Sequence, residues 1–335
     1  PTTRPAGIAA CLASVDLGEP VQTGDLTLYP LIARETRKDL DVFGLEEGLR
    51  EGILQVREDQ SSATLFATNA DPSRHAVLAA GEILVGGHQD RVLTRDVLIP
   101  PGRRLQLPVL CCEQGRSTGL TARFGASPGL APAGIRGLLL GARDQRSIWD
   151  RIDEDLEEMD ATSGTDALAG LYRAGAVSGL KAHLDALLPG LSDRSVVGFL
   201  ALSGGKVIGA ELFRSHNLLD AMAPRFVTSY LLESMKKQPA VAATHIDPKN
   251  LGQFLRDVKK ARFFPPRVGV SGVETTFEGE EGRLSGYSLS AKSGGDPIHL
   301  TLLVGGPTLD VRVTPPTRSV APPGVTPPTD EPGRR

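Results

Sequence analysis

A chain of 335 residues, 40% apolar and 23% charged, has material for one or two packed cores, and its length suggests two folding units. A formal net charge of −3 argues against a generic nucleic-acid binder, and 4% aromatic content leaves few platforms for stacking bases, so no nucleic-acid partner is expected. No run approaches the roughly 20 apolar residues of a membrane span, so no membrane partner is expected either.

The chain opens on Pro1 rather than Met and lacks a basic head followed by an apolar core, which leaves a removed leader open. Residues 1–20 mix Pro, Thr and Gly around a short apolar patch, Ile8 to Val15, that reads as a first strand or an ordered arm. Leu26, Leu28 and Tyr29 to Ile32 read as strand, followed by a charged turn over Arg34–Asp41. Gly44–Ile53 has room for one helical turn leading into Leu54-Gln55-Val56. From Ser62 to Val109, short apolar runs are split by the turn signals Asn69–Pro72, Gly86-Gly87 and Pro100–Gly102. That spacing predicts antiparallel sheet in a sandwich-like arrangement. Ser117–Arg143 is rich in Gly, Ala and Pro, weakly patterned, and reads as a crossing loop.

The period then changes. Trp149, Ile152, Leu156 and Met159 share one face of a helix starting near Asp144, with Trp149 anchoring it to the sheet and Asp153 to Glu158 on the wet side. Ser163 or Thr165 starts a second helix through Leu168, Leu171 and Tyr172, and Ser178 a third that Pro189-Gly190 stops. Val196–Leu202 and Val207–Phe213, joined by Ser203–Lys206, form the clearest hairpin. Helices are expected over Ser215–Met222 and Pro224–Lys237, with Pro224 at a first helical position, and again from Asp247-Pro248 through Leu251, Phe254, Leu255 and Val258. Strands return at Val268–Val273, Glu274–Phe277, Leu284–Leu289 and Ile298–Val304. Beyond Gly306, repeated Thr-Pro-Pro-Thr predicts a disordered tail of polyproline character.

The expected fold is therefore α+β. A β-rich antiparallel unit covers 1–119, a crossing loop 120–143, an α+β unit with one helical layer on an antiparallel sheet 144–306, packed on the first, and a Pro-rich tail 307–335.

The stretch Gly81–Arg116 sets clustered polar groups into apolar, strand-like surroundings. In extended backbone Gln89 and Arg91 share a face, and so do Gln114 and Arg116. Two guanidiniums and two amides can thus meet one anionic ligand, with Gly86, Gly87 and Gly115 allowing close backbone approach. The alternative is that Arg91 and Arg116 pair with Glu82 and Glu113 in a network that holds the sheet.

The sequences GEILVGGHQDR, LPVLCCEQGR, QRSIWDRIDEDL and SYLLES, in that order, resemble the ARPP-1 domain family, over about Pro20 to Gly305. That family's name records association with ADP-ribosylglycohydrolase and rhodanese-phosphatase domains. The match covers Gly81, Glu82, Gly86, Gly87, Gln89, Arg91, Cys111, Glu113, Gln114, Gly115 and Arg116. His88 stands for the family's Lys, Cys112 for a Val and Ser117 for a Trp, so a constant charge becomes pH-dependent and an aromatic platform beside Arg116 is lost.

Conventional chemistry is not spelled out. The six histidines show no HxxxH, HxH or CxxC spacing, so no metal and no cofactor are expected. Cys11, Cys111 and Cys112 make no even disulfide framework; a vicinal bridge would be strained, and reduced thiols in a cytoplasmic setting are expected. Cys111 or Cys112 beside His88 forms a conceivable nucleophile and base, against the commoner reading of a small buried hydrophobe. Gly204-Gly205 lacks phosphate-loop spacing and reads as a turn. Two classes remain. One is a domain binding or processing a small anionic, nucleotide- or ADP-ribose-like metabolite through Gly86, Gly87, His88, Gln89, Arg91, Gln114, Gly115 and Arg116, with Glu82 or Glu113 as acid or base. The other is a noncatalytic structural or protein-interaction module whose polar motif braces the sheet.

Overall fold

The computed structural model describes residues 6–35, 39–59, 64–116, 118–119, 123–141, 144–173, 177, 179–236, 255, 258–269, 272–279, 284–292 and 296–304. The tail expected at 307–335 and most of the helix expected from Asp247 lie outside them, although Leu255 and Val258 are buried.

The architecture is α+β. Ten strands make the principal sheet, which runs from Val15–Leu17 through Leu26–Ala33, Val196–Ser203, Lys206–Phe213, Pro297–Val304, Leu284–Ser290 and Val273–Glu278 to Arg262–Phe263. Every pairing in it is antiparallel. Its central strands are buried on both sides, which is why Val196–Ser203 reads as a nearly continuous apolar run and why even His299 and Thr301 of Pro297–Val304 are buried.

Both faces of this sheet carry helix, where a single helical layer was expected. The helix His216–Met235 covers one face, packing Phe226, Val227 and Tyr230 against Phe199 and Phe213. On the opposite face lies Ala6–Ala13, with Ile8, Cys11 and Leu12 against Leu200, Leu212 and Leu302. The patch Ile8 to Val15, read as a strand or arm, is thus largely helix. Its buried residues Ile8, Cys11, Leu12 and Val15 recur at three and four, and Ala and Leu between them favour helix.

Before the main hairpin come three small sheets: Val97–Ile99, His75–Leu78 and Val42–Gly44; Arg104–Gln106, Thr64–Asn69 and Leu54–Asp59; and Val109–Cys111, Arg91–Leu93, Glu82–Gly86 and Phe124–Leu130. All their pairings are antiparallel except the parallel one between Val42–Gly44 and His75–Leu78. Phe43, Val56, Leu78, Leu84, Leu93 and Phe124 meet in their shared core.

The stretch expected as a crossing loop at 120–143 contains the strand Phe124–Leu130 and the helix Ala133–Leu140. Glycine hid the strand. A Cβ on Gly129 would stand 2.7 Å from the Tyr172 hydroxyl and from Thr228 Cγ2, so that strand approaches helix His216–Met235 too closely for any other residue. The two helices expected on either side of Ala223 are one, with Pro224 inside. Loss of one N–H at Pro224 is outweighed by burial that continues through Met222, Ala223, Phe226 and Val227, and the Thr228 hydroxyl donates to the Pro224 carbonyl at 2.7 Å.

The helix Gln145–Glu158 starts as expected, with Asp144 accepting from the Ser147 N–H at 2.9 Å, and Trp149 packs against the cluster formed by Ile148, Ile152 and Leu156. The second expected helix is a tighter 3₁₀ segment, Leu168–Arg173, and the third is Leu180–Leu187.

Candidate functional site

The strands Glu82–Gly86 and Arg91–Leu93 pair as a hairpin, and Val109–Cys111 lies beside the second with Cys111 opposite Arg91. Gly87 closes the turn at φ 56°, where a Cβ would collide with the Phe124 ring at 2.2 Å. Strand and turn together bring Gln89, Arg91, Glu113 and Arg116 into one assembly with Glu58, Asp90 and Thr165.

Arg116 is the hub. Its Nε donates to both Glu113 oxygens at 2.9 Å, its Nη2 to Asp90 Oδ1 at 2.9 Å, and its Nη1 to the Gly87 carbonyl at 2.7 Å. Glu113 also accepts from the Thr165 hydroxyl at 2.6 Å and the Asp90 N–H at 2.9 Å, while Asp90 accepts from the Gly86 N–H at 2.9 Å. Burial raises the Glu113 carboxyl's pKa, but the Arg116 and Thr165 hydrogen bonds outweigh it and hold the group below its ordinary range. For Asp90 burial wins, and its pKa is raised.

Arg91 donates to Glu58 at 3.1 Å and to the Gln89 side chain at 3.3 Å, and Gln89 donates to the Glu113 carbonyl at 3.0 Å. Glu58 takes a second partner in His88 Nδ1 at 2.7 Å. The side chains of Arg91 and Arg116 are only 7% and 11% exposed, while Glu58, Asp90 and Glu113 are buried. His88 and Gln114 face solvent, and Gly115 donates its N–H to the Thr165 carbonyl at 2.9 Å.

Glu82 is not part of this assembly. It is wholly buried, and Arg225 of the long helix donates to it through Nε at 2.8 Å and also through Nη2, while Arg225 Nη1 reaches the Ser127 carbonyl at 2.8 Å. Burial raises the Glu82 pKa, and its Oε1 has no hydrogen-bond partner among the described residues. Glu82 was one of two acid or base candidates; it sits sealed inside an ion pair that sequence reasoning did not assign to it.

A further interior network went unnoticed in the sequence. His299 bridges Asp96 (Nδ1 to Oδ2, 2.6 Å) and Glu211 (Nε2 to Oε2, 2.9 Å). Glu211 Oε1 also accepts from Arg136 at 2.7 Å and the Tyr230 hydroxyl at 2.6 Å, and Asp96 accepts from the Ala80 N–H at 2.8 Å. Burial lowers the His299 pKa, but the two carboxylates dominate and raise it to about 9. The signal in the sequence is a single ionisable residue within each apolar run: Arg136 in AGIRGLLL, Glu211 in VIGAELF, His299 in PIHLTLLV.

Several other motif residues are likewise engaged internally. Gln145 brackets Cys111, accepting from its N–H at 2.9 Å and donating to its carbonyl at 2.6 Å, so a side-chain amide occupies the strand's edge. Asp155 and Glu233 share Lys236 at 2.8 and 3.0 Å. Cys11, Cys111 and Cys112 are in no disulfide, and burial raises the thiol pKa of Cys111 and, further, of Cys112. Among the described residues no group of three or more His, Cys, Asp or Glu could hold a metal ion, and no helix is long and apolar enough to cross a membrane.

No curated protein and no solved structure matches the chain. The model of the ARG and Rhodanese-Phosphatase-superfamily-associated Protein domain matches residues 14–303, which takes in the whole of the Gly81–Arg116 stretch, the helices after Ala6–Ala13 and the principal sheet up to Leu303; the chain belongs to this family, ARPP-1.

Proposed function

We propose that the chain is a noncatalytic interaction module in which the GEILVGGHQDR and CCEQGR motifs brace the fold. One observation carries this reading: both motif guanidiniums are already engaged by buried carboxylates of the same chain, Arg116 by Glu113 and Asp90 and Arg91 by Glu58. A phosphate or carboxylate ligand would have to break these pairs and leave the displaced acid uncompensated. Three cysteines outside any disulfide support a cytoplasmic setting for the module.

The test compares melting and ligand response in Arg91→Ala and Arg116→Ala. Arg116→Ala strands Glu113 and Asp90, and with the remaining Thr165 and backbone donors it should lose about 2 kcal/mol, or roughly 5 °C of melting temperature. Wild type should show no thermal shift with nucleotides, ADP-ribose or NAD derivatives. A nucleotide- or ADP-ribose-like compound that stabilises wild type but not Arg91→Ala, with the two apo proteins melting alike, would overturn the brace in favour of an anion site.

A further inference from the structure

We propose that the outward face of the three-stranded sheet Leu54–Asp59, Thr64–Asn69 and Arg104–Gln106 is a docking surface for single-stranded nucleic acid. The proposal deepens the interaction-module reading and rests on it. The sheet's inner face is apolar, with Leu54, Val56, Leu65 and Ala67 in the core. Its outer face is set by the register. Arg57 stands opposite Phe66, and Phe66 opposite Gln106; one step along, Gln55 stands opposite Thr68, and Thr68 opposite Arg104. Arg57 is also bridged to Arg123 of the neighbouring chain segment, which extends the first row to Arg123, Arg57, Phe66 and Gln106.

Three features of this face call for a partner. Phe66 is only partly buried and packs into none of the four apolar clusters of the described residues, so its ring is not there to fill the core. The Arg104 guanidinium carbon sits over that ring, 4.1 Å from its centroid, and Arg104 is exposed, so ring and guanidinium form an aromatic and cationic pair suited to stacking a base. Arg57 and Arg104 are exposed, and no described carboxylate is ion-paired with either.

The chemistry that fits is a phosphodiester strand with accessible bases. With strands about 4.8 Å apart, the four-residue row spans roughly 15 Å, enough for two or three nucleotides. Arg57 beside the ring and Arg104 over it suit neighbouring phosphates, and Gln55 and Gln106 supply amides able to pair with base edges. An acidic peptide would use the arginines but leave the aromatic platform without a role. The net charge of −3 disfavours generic duplex binding, and it does not bear on a local cationic face.

The full chain is titrated by fluorescence anisotropy into labelled oligo-dT and oligo-rU of about ten nucleotides, against duplex DNA and a poly-glutamate peptide. Binding to the single strands is expected to weaken with salt, with a log–log slope of about −1.4 for the two phosphate contacts of Arg57 and Arg104. Arg57→Glu with Arg104→Glu, and separately Phe66→Leu, should each weaken it roughly tenfold or more while melting as wild type does. Absence of single-strand binding, equal binding of duplex or poly-glutamate, or unchanged affinity in both variants overturns the proposal. The brace stands or falls separately, on the melting of Arg116→Ala.

Discussion

Arg225→Ala should be the most damaging single substitution on the inner face of the motif sheet, lowering the melting temperature by roughly 10 °C or more. Arg225 is 3% exposed, and its guanidinium is the hydrogen-bond partner of the Glu82 carboxylate as well as of the Ser127 carbonyl. Removing it leaves Glu82 at zero exposure with no counter-ion, a change that costs about 3–5 kcal/mol for buried pairs. Several groups lose partners together, because Arg225 ties the long helix to both strands of the Glu82–Gly86 and Phe124–Leu130 pair. A companion variant separates charge from packing. Glu82→Met with Arg225→Met fills similar volume without burying a lone charge, and it should recover most of the lost melting temperature. A melting curve for Arg225→Ala within a degree or two of wild type would show that the interior pair contributes little, and the double variant would then have nothing to recover.

Such a pair marks where sequence reading stops. The parity of Gln89 with Arg91 and the closeness of Glu113 and Arg116 within one short polar motif were legible, and the structure does gather these four. Gln114 was not gathered, because the backbone leaves the strand after Cys111, and alternation no longer applies. Glu82 and Arg225 are 143 residues apart, so no local pattern can pair them. Asp96 and His299, 203 apart, are beyond reach in the same way, yet the lone charge inside PIHLTLLV is itself a sign that a distant partner exists. The helices Gln145–Glu158 and Leu180–Leu187 were readable from one wet and one dry face. Ala6–Ala13 was missed because it is apolar almost throughout, so only its three-and-four spacing distinguishes it from a strand. The strand Phe124–Leu130 was missed for the opposite reason, since Gly125, Pro128 and the Gly129 that close packing requires remove the β-branched signature.

The His299 network makes a prediction whose sign is fixed by the direction of its pKa shift. His299 faces Asp96 on one side and Glu211 on the other; Arg136 and the Tyr230 hydroxyl reach it only through Glu211, and the Phe213 and Phe226 rings close the site at 4.7 and 5.1 Å. Two carboxylates against one imidazolium raise the folded-state pKa from 6.5 to about 9. A raised pKa means that the folded protein holds this proton more tightly than the unfolded chain does. The stabilisation is therefore fully present below about pH 6.5 and is lost as pH rises through about 9. A difference of some two and a half pH units corresponds to about 3 kcal/mol. Chemical denaturation followed from about pH 6.5 to 9.5 should show that loss in wild type, superimposed on the slower titration of surface groups. His299→Asn should start less stable and decline less over the same range, so the gap between the two proteins narrows as pH rises. Asp96→Asn removes one of the two carboxylates, which lowers the His299 pKa and moves the wild-type decline to lower pH. A gap between wild type and His299→Asn that stays constant across the whole window would mean that His299 is not charged in the folded protein, and the bridge between Asp96 and Glu211 would then be a neutral hydrogen-bonded one.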